Sequence, residues 1–191
     1  WVGDDVWHAH CVKLNKDEIE LFSRTGTGIA HCPCSNMRLA SGIAPLRTWI
    51  DKGVKVGLGV DGSSSNDSGY LLNEARQAML LQRVNLGANK FSPREALFTA
   101  TRGGAEVLNR NDIGQISIGK AADFAIYDLN KIAMSGAWSD PLAALVLCTP
   151  AETAYTICNG EVISQNGHLN NFDLNLSLEK HKVASKRLLD L

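Results

Sequence analysis

The chain has 191 residues, of which 19 are Lys or Arg and 20 are Asp or Glu, so its formal net charge is −1. Nucleic-acid-binding proteins and polybasic membrane-surface modules normally carry a basic face, and this balance argues against both classes. No run approaches the ~20 consecutive apolar residues of a transmembrane helix, and the 45% hydrophobic content is typical of a globular protein.

The first part of the chain alternates short apolar strands with amphipathic helices. We predict strands over residues 6–11, 27–32 and 54–60. We predict helices over residues 16–23, 43–52 and 71–84, and from a capping box at Ser92 to about Leu108. Such alternation indicates βαβ units and a parallel sheet, and therefore an α/β fold.

Each of the three predicted strands leads into a polar residue: His10, His31 and Asp61. Polar side chains at the carboxyl ends of successive parallel strands mark the active face of a (β/α)₈ barrel, or the mouth of a doubly wound sheet. We expect these three side chains to gather at one edge.

The pattern changes after about residue 112. Short β-like runs over 116–118 and 125–129 are followed by a predicted hairpin, in which strands over 153–158 and 161–164 flank the turn Asn159-Gly160. Residues 176–191 are predicted to form a terminal amphipathic helix. This half is therefore expected to be a small antiparallel β unit with a helix after it.

Asp61 follows an apolar strand and enters a turn rich in Gly and Ser. A carboxylate in this position can ligate a metal and accept a proton from metal-bound water, although Asp-Gly is also a common turn pair. His8 and His10 lie two apart on a strand, so both are expected on the same side of the sheet. They suit joint chelation of a metal, or one functional His beside one structural His, and the alternative is two ordinary histidines in polar surroundings.

Other polar residues carry weaker signals. His31 suits either substrate binding or a hydrogen bond within the top of the sheet, and the residues leave both open. Glu74 and Arg76 on the predicted helix 71–84 are expected to be a solvated or interhelical pair. The five cysteines form no CxxC framework, so we expect reduced thiols and a cytoplasmic protein.

Three runs together resemble one known family. They are Ala9-His10-Cys11-Val12-Lys13-Leu14, the segment from His31-Cys32-Pro33-Cys34-Ser35-Asn36 to Pro45, and Gly57-Leu58-Gly59-Val60-Asp61-Gly62 with the residues to Asn66. In this order and spacing they are similar to the amidohydrolase superfamily, in its branch of metal-dependent purine and triazine deaminases. Later runs around Gly119-Lys120-Ala121-Ala122-Asp123 and Asn159-Gly160 resemble the β segment that ends this family.

The resemblance implies roles for individual residues. His10 matches the histidine that ends barrel strand 6 and orients the metal-bound hydroxide and the substrate. Asp61 matches the aspartate that ends strand 8, ligates the metal and takes the proton of the water. His31 and Asn36 match the pocket-lining loop of strand 7, and are expected to bind substrate. His8-Ala9-His10 is not the HxH metal motif of strand 1, because the residues after it are those of strand 6.

The resemblance also implies a longer protein. The strand 1 HxH, the strand 5 histidine and the glutamate three residues after it have no match in this chain, and a closed barrel takes ~250 residues. We therefore expect a C-terminal portion: barrel strands 6 to 8 over residues 1–112, part of a small β-sandwich over 113–170, and a helix over 171–191.

The implied activity is hydrolytic deamination of a small purine-type heterocycle at a zinc ion, with iron as the alternative metal. The substrate most in keeping with the resemblance is 8-oxoguanine, which would give urate and ammonia; hydroxytriazine aminohydrolase and guanine deaminase activities are the alternatives. A different class of function is a non-catalytic barrel fragment that serves as a binding or assembly module. The chain alone is expected to be inactive, no membrane or nucleic-acid partner is expected, and a homo-oligomer is left open.

Overall fold

The computed structural model describes residues 1–148 and 151–189, which form two compact units. The first unit comprises Trp1–Lys120 with Leu129–Ala151, and the second comprises Ala121–Asp128 with Glu152–Leu191. This partition does not coincide with the expected divisions at residues 112 and 170. Residues 129–151 group with the first unit, where their helix packs against two earlier helices.

The first unit is an α/β layer built on a three-stranded parallel sheet. Its strands are β1 (Trp7–Ala9), β2 (Gly28–His31) and β3 (Val56–Leu58), in the order β1-β2-β3. Its helices are α1 (Lys16–Thr25), α2 (Pro33–Arg38), α3 (Leu46–Asp51), α4 (Leu71–Leu86), α5 (Pro93–Phe98), α6 (Gly104–Val107) and α7 (Pro141–Leu147). The predicted strand and helix alternation is confirmed.

Local sequence signals set several helix ends. Asn15 caps α1 in a capping box with Glu18, and Gly26 ends this helix in a left-handed conformation. Ser92 and Glu95 form the predicted capping box of α5, with Pro93 in its first turn. The predicted helix from Ser92 to Leu108 is not continuous, because a π-helical turn over Thr99–Gly103 separates α5 from α6.

This π-helical turn lies directly on the central sheet. A Cβ added at Gly103 would lie 2.2 Å from the carbonyl oxygen of Val56, and one added at Gly57 would lie 2.8 Å from the Cα of Gly104. Only glycine permits such a close approach of two backbones. The contact fixes β3, and therefore the loop that follows it.

The core of the first unit lies between the sheet and its helices. It is formed by large buried side chains from β2, α3, α4 and the segment before α5, including Ile29, Leu46, Trp49, Met79 and Phe91. All five are fully buried. They hold the strands in fixed register, with His8 opposite Ile29 and Ile29 opposite Val56.

The second unit is a four-stranded antiparallel sheet with a helix after it. Its strands are β4 (Phe124–Tyr127), β5 (Thr153–Cys158), β6 (Glu161–Gln165) and β7 (His168–Leu169), paired in that order, and its helix is α8 (Leu174–Leu189). The predicted hairpin is confirmed, with Asn159 and Gly160 both at positive φ, as a type I′ turn requires. The predicted terminal helix is confirmed to Leu189, and its last two residues lie outside the described part of the chain.

One predicted strand is wrong. Residues 116–118 form no strand, and Ile116 and Ile118 are both exposed. These isoleucines alternate with a polar residue, as in a half-buried strand, but no strand among the described residues pairs with them. Across residues 1–148 and 151–189, no helix combines the length and apolar character needed to cross a membrane.

Candidate active site at the strand ends

The carboxyl ends of the three parallel strands bring the predicted polar residues to one edge of the sheet. His10 follows β1, His31 ends β2, and Asp61 lies three residues after β3. His10 Nε2 lies 3.6 Å from Asp61 Oδ2, and the two side chains keep 38% and 31% of their exposure. An imidazole and a carboxylate thus share one partly open site.

The backbone is left-handed at both residues. His10 has φ 66°, Cys11 has φ 51° and Asp61 has φ 63°. The Cys11 N–H donates to the Ala9 carbonyl at 2.8 Å, so His10 is the central residue of a tight three-residue turn. Non-glycine residues rarely adopt this conformation, and such strain is concentrated at functional sites. The turn also ends the strand alternation expected to place His8 and His10 on the same side.

Two serine hydroxyls bind the Asp61 carboxylate. Ser35, on α2, and Ser65, on the loop after β3, both donate to Oδ2, the latter at 2.8 Å. These two hydrogen bonds, with a smaller contribution from the Gly62 backbone, lower the pKa of Asp61 to about 2. The carboxylate is therefore ionised at neutral pH, as a metal ligand or proton acceptor must be. The sequence reasoning did not assign a role to either serine.

His31 lies beneath this edge rather than on it. Its side chain is 1% exposed, packs edge-on against Trp49 with ring centroids 5.8 Å apart, and neither ring nitrogen has a hydrogen-bond partner among the described residues. Burial, with a smaller contribution from the nearby charge of His10, lowers the pKa of His31 to about 3. The imidazole is therefore neutral, with one donor and one acceptor nitrogen.

Asn36 lies on α2 and is also 1% exposed. Its Oδ1 accepts a hydrogen bond from His10 Nδ1 at 2.9 Å. Its Nδ2 has no hydrogen-bond partner within the part of the chain that the structure describes. The expected site residues are thus brought together, with Asn36 behind His10.

His8 is not part of this group. Its Nε2 donates to the Trp1 carbonyl at 2.9 Å, and its ring lies 5.2 Å from that of Phe22. Of the three interpretations of the His8 and His10 pair, the geometry therefore favours one functional histidine beside one structural histidine.

Glu74 is a residue whose role the sequence reasoning misjudged. Instead of a solvated or interhelical partner of Arg76, it is fully buried on α4. Its Oε2 accepts the Cys34 N–H at 3.0 Å and its Oε1 accepts Asn66 Nδ2 at 2.7 Å. One buried carboxylate therefore joins the segment after β2 to the loop after β3, the two segments that carry Ser35 and Ser65.

The donor set does not make a complete metal site. Within residues 1–148 and 151–189, no group of three or more His, Cys, Asp or Glu side chains could hold an ion. A catalytic zinc takes three protein ligands and an open position. Asp61 is suited to be one ligand, and the described residues supply no full set around it.

A cavity of about 520 Å³ opens beside His10. Its lining comes from the turn after β1, the start of α1 and the end of α2, and includes Lys13, Leu39 and Ser41. A space of this size suits a small ligand, and Nε2 of His10 is turned toward Asp61, at the same edge of the sheet.

Comparisons with known proteins support one family. The model of the amidohydrolase family matches residues 2–163. The chain is 43% identical over 189 residues to the 8-oxoguanine deaminase of Pseudomonas aeruginosa, covering 99% of this chain and 42% of that protein.

Two solved structures have the same fold. One is an adenosine deaminase from Xanthomonas campestris with bound zinc, with a TM-score of 0.93, 28% identity and coverage of 100% of this chain and 44% of that one. The other is an atrazine chlorohydrolase from Arthrobacter aurescens complexed with zinc, with a TM-score of 0.89, 35% identity and coverage of 96% and 41%. The chain thus spans about two-fifths of the length of these proteins.

Proposed function

Because the chain belongs to the amidohydrolase family, within its deaminase branch, we propose that the whole protein removes the amino group of a purine-type heterocycle by hydrolysis. The proposed substrate is 8-oxoguanine, which with one water gives urate and one ammonia. One observation carries the proposal: His10 and the ionised Asp61 meet 3.6 Å apart at the carboxyl edge of a parallel sheet. The likeness to an 8-oxoguanine deaminase supports the choice of substrate.

The metal belongs to the whole protein. We propose that Asp61 supplies one ligand to a zinc ion, or alternatively iron, and that the remaining ligands come from a part of the protein outside this chain. A bound zinc would activate a water as the nucleophile. The two zinc-containing structures support this choice of metal.

Asp61 and His10 divide the remaining chemistry. Asp61 accepts a proton from the attacking water and delivers it to the departing ammonia. The hydroxyls of Ser35 and Ser65 hold this carboxylate in one orientation. His10 Nε2 accepts a hydrogen bond from the hydroxyl group of the tetrahedral centre and so stabilises it.

His31 is proposed to recognise the substrate. Its neutral ring offers one donor and one acceptor without a partner among the described residues, which matches the alternating donors and acceptors of a purine edge. Because only 1% of the side chain is exposed, this contact requires the substrate to reach the floor of the site.

The proposed setting follows from the family. The first unit would be strands 6 to 8 of a (β/α)₈ barrel, and the second would be part of a β-sandwich. All five cysteines are free, which supports a reducing, cytoplasmic location. A homo-oligomer is a compatible assembly.

A second class of function has one observation in its favour. Since the described residues lack a three-ligand group, the chain could be a non-catalytic barrel fragment that acts as a binding or assembly module. Among catalytic alternatives, the likeness to a hydroxydechloroatrazine ethylaminohydrolase of Pseudomonas sp., 37% identical over 182 residues, supports a hydroxytriazine aminohydrolase. Guanine deaminase activity is the other alternative, because guanine differs from 8-oxoguanine only in lacking the C8 oxygen.

Ammonia release by the full-length protein tests the proposal, with 8-oxoguanine, guanine and a hydroxytriazine compared side by side. We expect Asp61→Asn to lower kcat/KM by about 10²- to 10⁴-fold. Asp51→Asn is the matched control, since Asp51 is an exposed partner of Arg47 at the end of α3, and it should stay within about twofold of wild type. Turnover by Asp61→Asn within a few-fold of wild type would contradict the assigned role, and no ammonia from any substrate would favour the non-catalytic module.

A further inference from the structure

Asn36 is placed behind His10 and not at the open face of the site. It lies on α2, with its side chain 1% exposed, whereas the His10 side chain is 38% exposed. Within the part of the chain that the structure describes, the one polar contact of its side chain to the site is the 2.9 Å hydrogen bond to His10 Nδ1. A substrate at the open edge would therefore meet His10 before it met Asn36.

The chemistry of this contact is directional. An amide oxygen only accepts hydrogen bonds, so the ring nitrogen that faces it must carry a proton. With Nδ1 protonated and engaged, Nε2 of the neutral ring is a hydrogen-bond acceptor at the edge it shares with Asp61, left to accept a proton-bearing group such as the attacking water. The same logic applies to metal sites and triads, where a partner behind the histidine fixes both the ring orientation and the tautomer.

The backbone makes such a support necessary. His10 is held at φ 66° in a three-residue turn and follows the last residue of β1. Its N–H donates to the Ala30 carbonyl at 2.9 Å, which fixes the main chain but not the side-chain torsions. The hydrogen bond to Asn36 restrains the ring itself, and it joins the end of β1 to the helix that also carries Ser35.

From these contacts we propose that Asn36 is a positioning residue that holds His10 with Nδ1–H inward and Nε2 toward Asp61. This inference rests on the proposed function, and it gives Asn36 a different role from the direct substrate contact that the family resemblance implies. A substrate-binding residue would mainly affect KM, whereas a positioning residue would mainly affect kcat.

Nitrogen NMR of the 191-residue chain with ¹⁵N-labelled histidine tests the geometry without any activity. His10→Gln identifies the His10 ring among the five histidines, and a pH series identifies the spectrum of the neutral ring. We expect the neutral His10 ring to show a protonated Nδ1 and an unprotonated Nε2 in the wild type and in Asn36→Asp, which keeps an acceptor oxygen. Asn36→Leu, of similar shape but without an acceptor, should lose that preference.

A protonated Nε2 in the wild type would mean that the amide faces His10 with its nitrogen, and it would overturn the proposal. Gln82→Met is the matched control for loss of a buried amide, because Gln82 is 1% exposed and its side chain bonds to the Arg47 N–H and the Ala44 carbonyl, away from His10. It should leave the His10 spectrum unchanged. If Asn36→Leu does not fold, the wild type and Asn36→Asp still decide the tautomer.

Kinetics of the full-length protein complete the test. We expect Asn36→Leu to lower kcat about 10- to 100-fold with KM within threefold of wild type, and Asn36→Asp to recover most of the loss. An increase in KM at unchanged kcat would overturn the positioning role in favour of a substrate contact. A wild-type enzyme that deaminates nothing would refute the proposed function alone, because the tautomer measurement does not depend on turnover.

Discussion

In the first unit, Ile29, Trp49 and Phe91 are fully buried, whereas in the second unit none of the described residues, 121–128 and 152–189, is buried. The first unit therefore has a hydrophobic core. The described part of the second unit consists of a hydrogen-bonded sheet and a helix without buried side chains. Small antiparallel sheets need a packed hydrophobic face for independent stability. The free energy that keeps residues in fixed positions is thus concentrated in the first unit.

The two units also differ in which residues adopt a left-handed backbone. In the second unit these are Asn159, Asn166 and Asn171, with Gly160 and Gly167, which tolerate positive φ at little cost. In the first unit they include His10, Cys11 and Asp61, at a cost on the order of 1–3 kcal/mol each. A strained backbone persists only where the surrounding packing holds it in place. This is consistent with the position of the proposed site in the unit that has a hydrophobic core.

Matched deletions of a phenyl ring give the largest expected contrast between the two units. Phe91→Ala removes a fully buried ring that also packs under the Arg47 guanidinium, and it should cost the first unit about 3–5 kcal/mol. Phe172→Ala removes a ring that is 53% exposed, and it should change the stability of the second unit by about 0.5 kcal/mol or less.

Native-state hydrogen exchange measures both effects in one sample. The Ile29 amide, bonded to the Lys55 carbonyl at 2.9 Å, reports on the first unit, and the amides of β5 report on the second. Urea unfolding followed by tryptophan fluorescence is a second measure of the first unit, which holds all four tryptophans. Equal costs for the two substitutions would show that the units do not differ in the way that burial indicates.

Acid should destabilise the first unit through His31. The pKa of His31 is lowered from 6.5 to about 3 in the folded state, so below pH 6.5 the unfolded chain binds a proton that the folded chain does not. The folded state therefore keeps its full stability above pH 6.5 and loses stability progressively as the pH falls toward 3. At pH 5 the loss is about 2 kcal/mol.

Unfolding free energies from urea titrations between pH 7 and 5 test this expectation. His31→Gln should flatten the pH dependence by about 2 kcal/mol over this range, whatever its effect on stability at pH 7. His181→Gln is the control, since His181 lies exposed on α8 in the second unit, and it should leave the slope unchanged. An unchanged slope in His31→Gln would show that the buried ring is protonated in the folded protein.

The sequence predicted those features that depend on local pattern. The strand and helix alternation, the capping box at Ser92 and the Asn159-Gly160 hairpin follow from short-range propensities and turn chemistry. The meeting of His10 and Asp61 follows from topology, because the carboxyl ends of parallel strands lie at one edge. Such features need no knowledge of distant contacts.

Features that depend on distant partners were missed. Helix α2 has only six residues, too few for a periodic pattern, and α7 is almost uniformly apolar, so neither shows helical periodicity. The burial of Glu74 depends on the Cys34 amide and on Asn66, which lie 40 and 8 residues away. The residues on the α4 face beside it, Ala75 and Ala78, are a signal that could have indicated its burial.

The smallest expected effect concerns the hairpin turn of the second unit. Gly160 has φ 83°, and an added Cβ would meet no atom within 4 Å, so Gly160→Ala should act through the backbone alone. We expect it to weaken β5–β6 pairing by about 1 kcal/mol, seen as faster amide exchange in these strands.

Gly136→Ala in the first unit is the matched control. A Cβ added there also meets no atom within 4 Å and Gly136 has no positive φ, so the effect should be near zero or slightly stabilising. Because none of the described residues of the second unit is buried, the loss at Gly160 should spread through its whole sheet. A loss confined to the turn would show that this sheet is held by more than its main-chain hydrogen bonds.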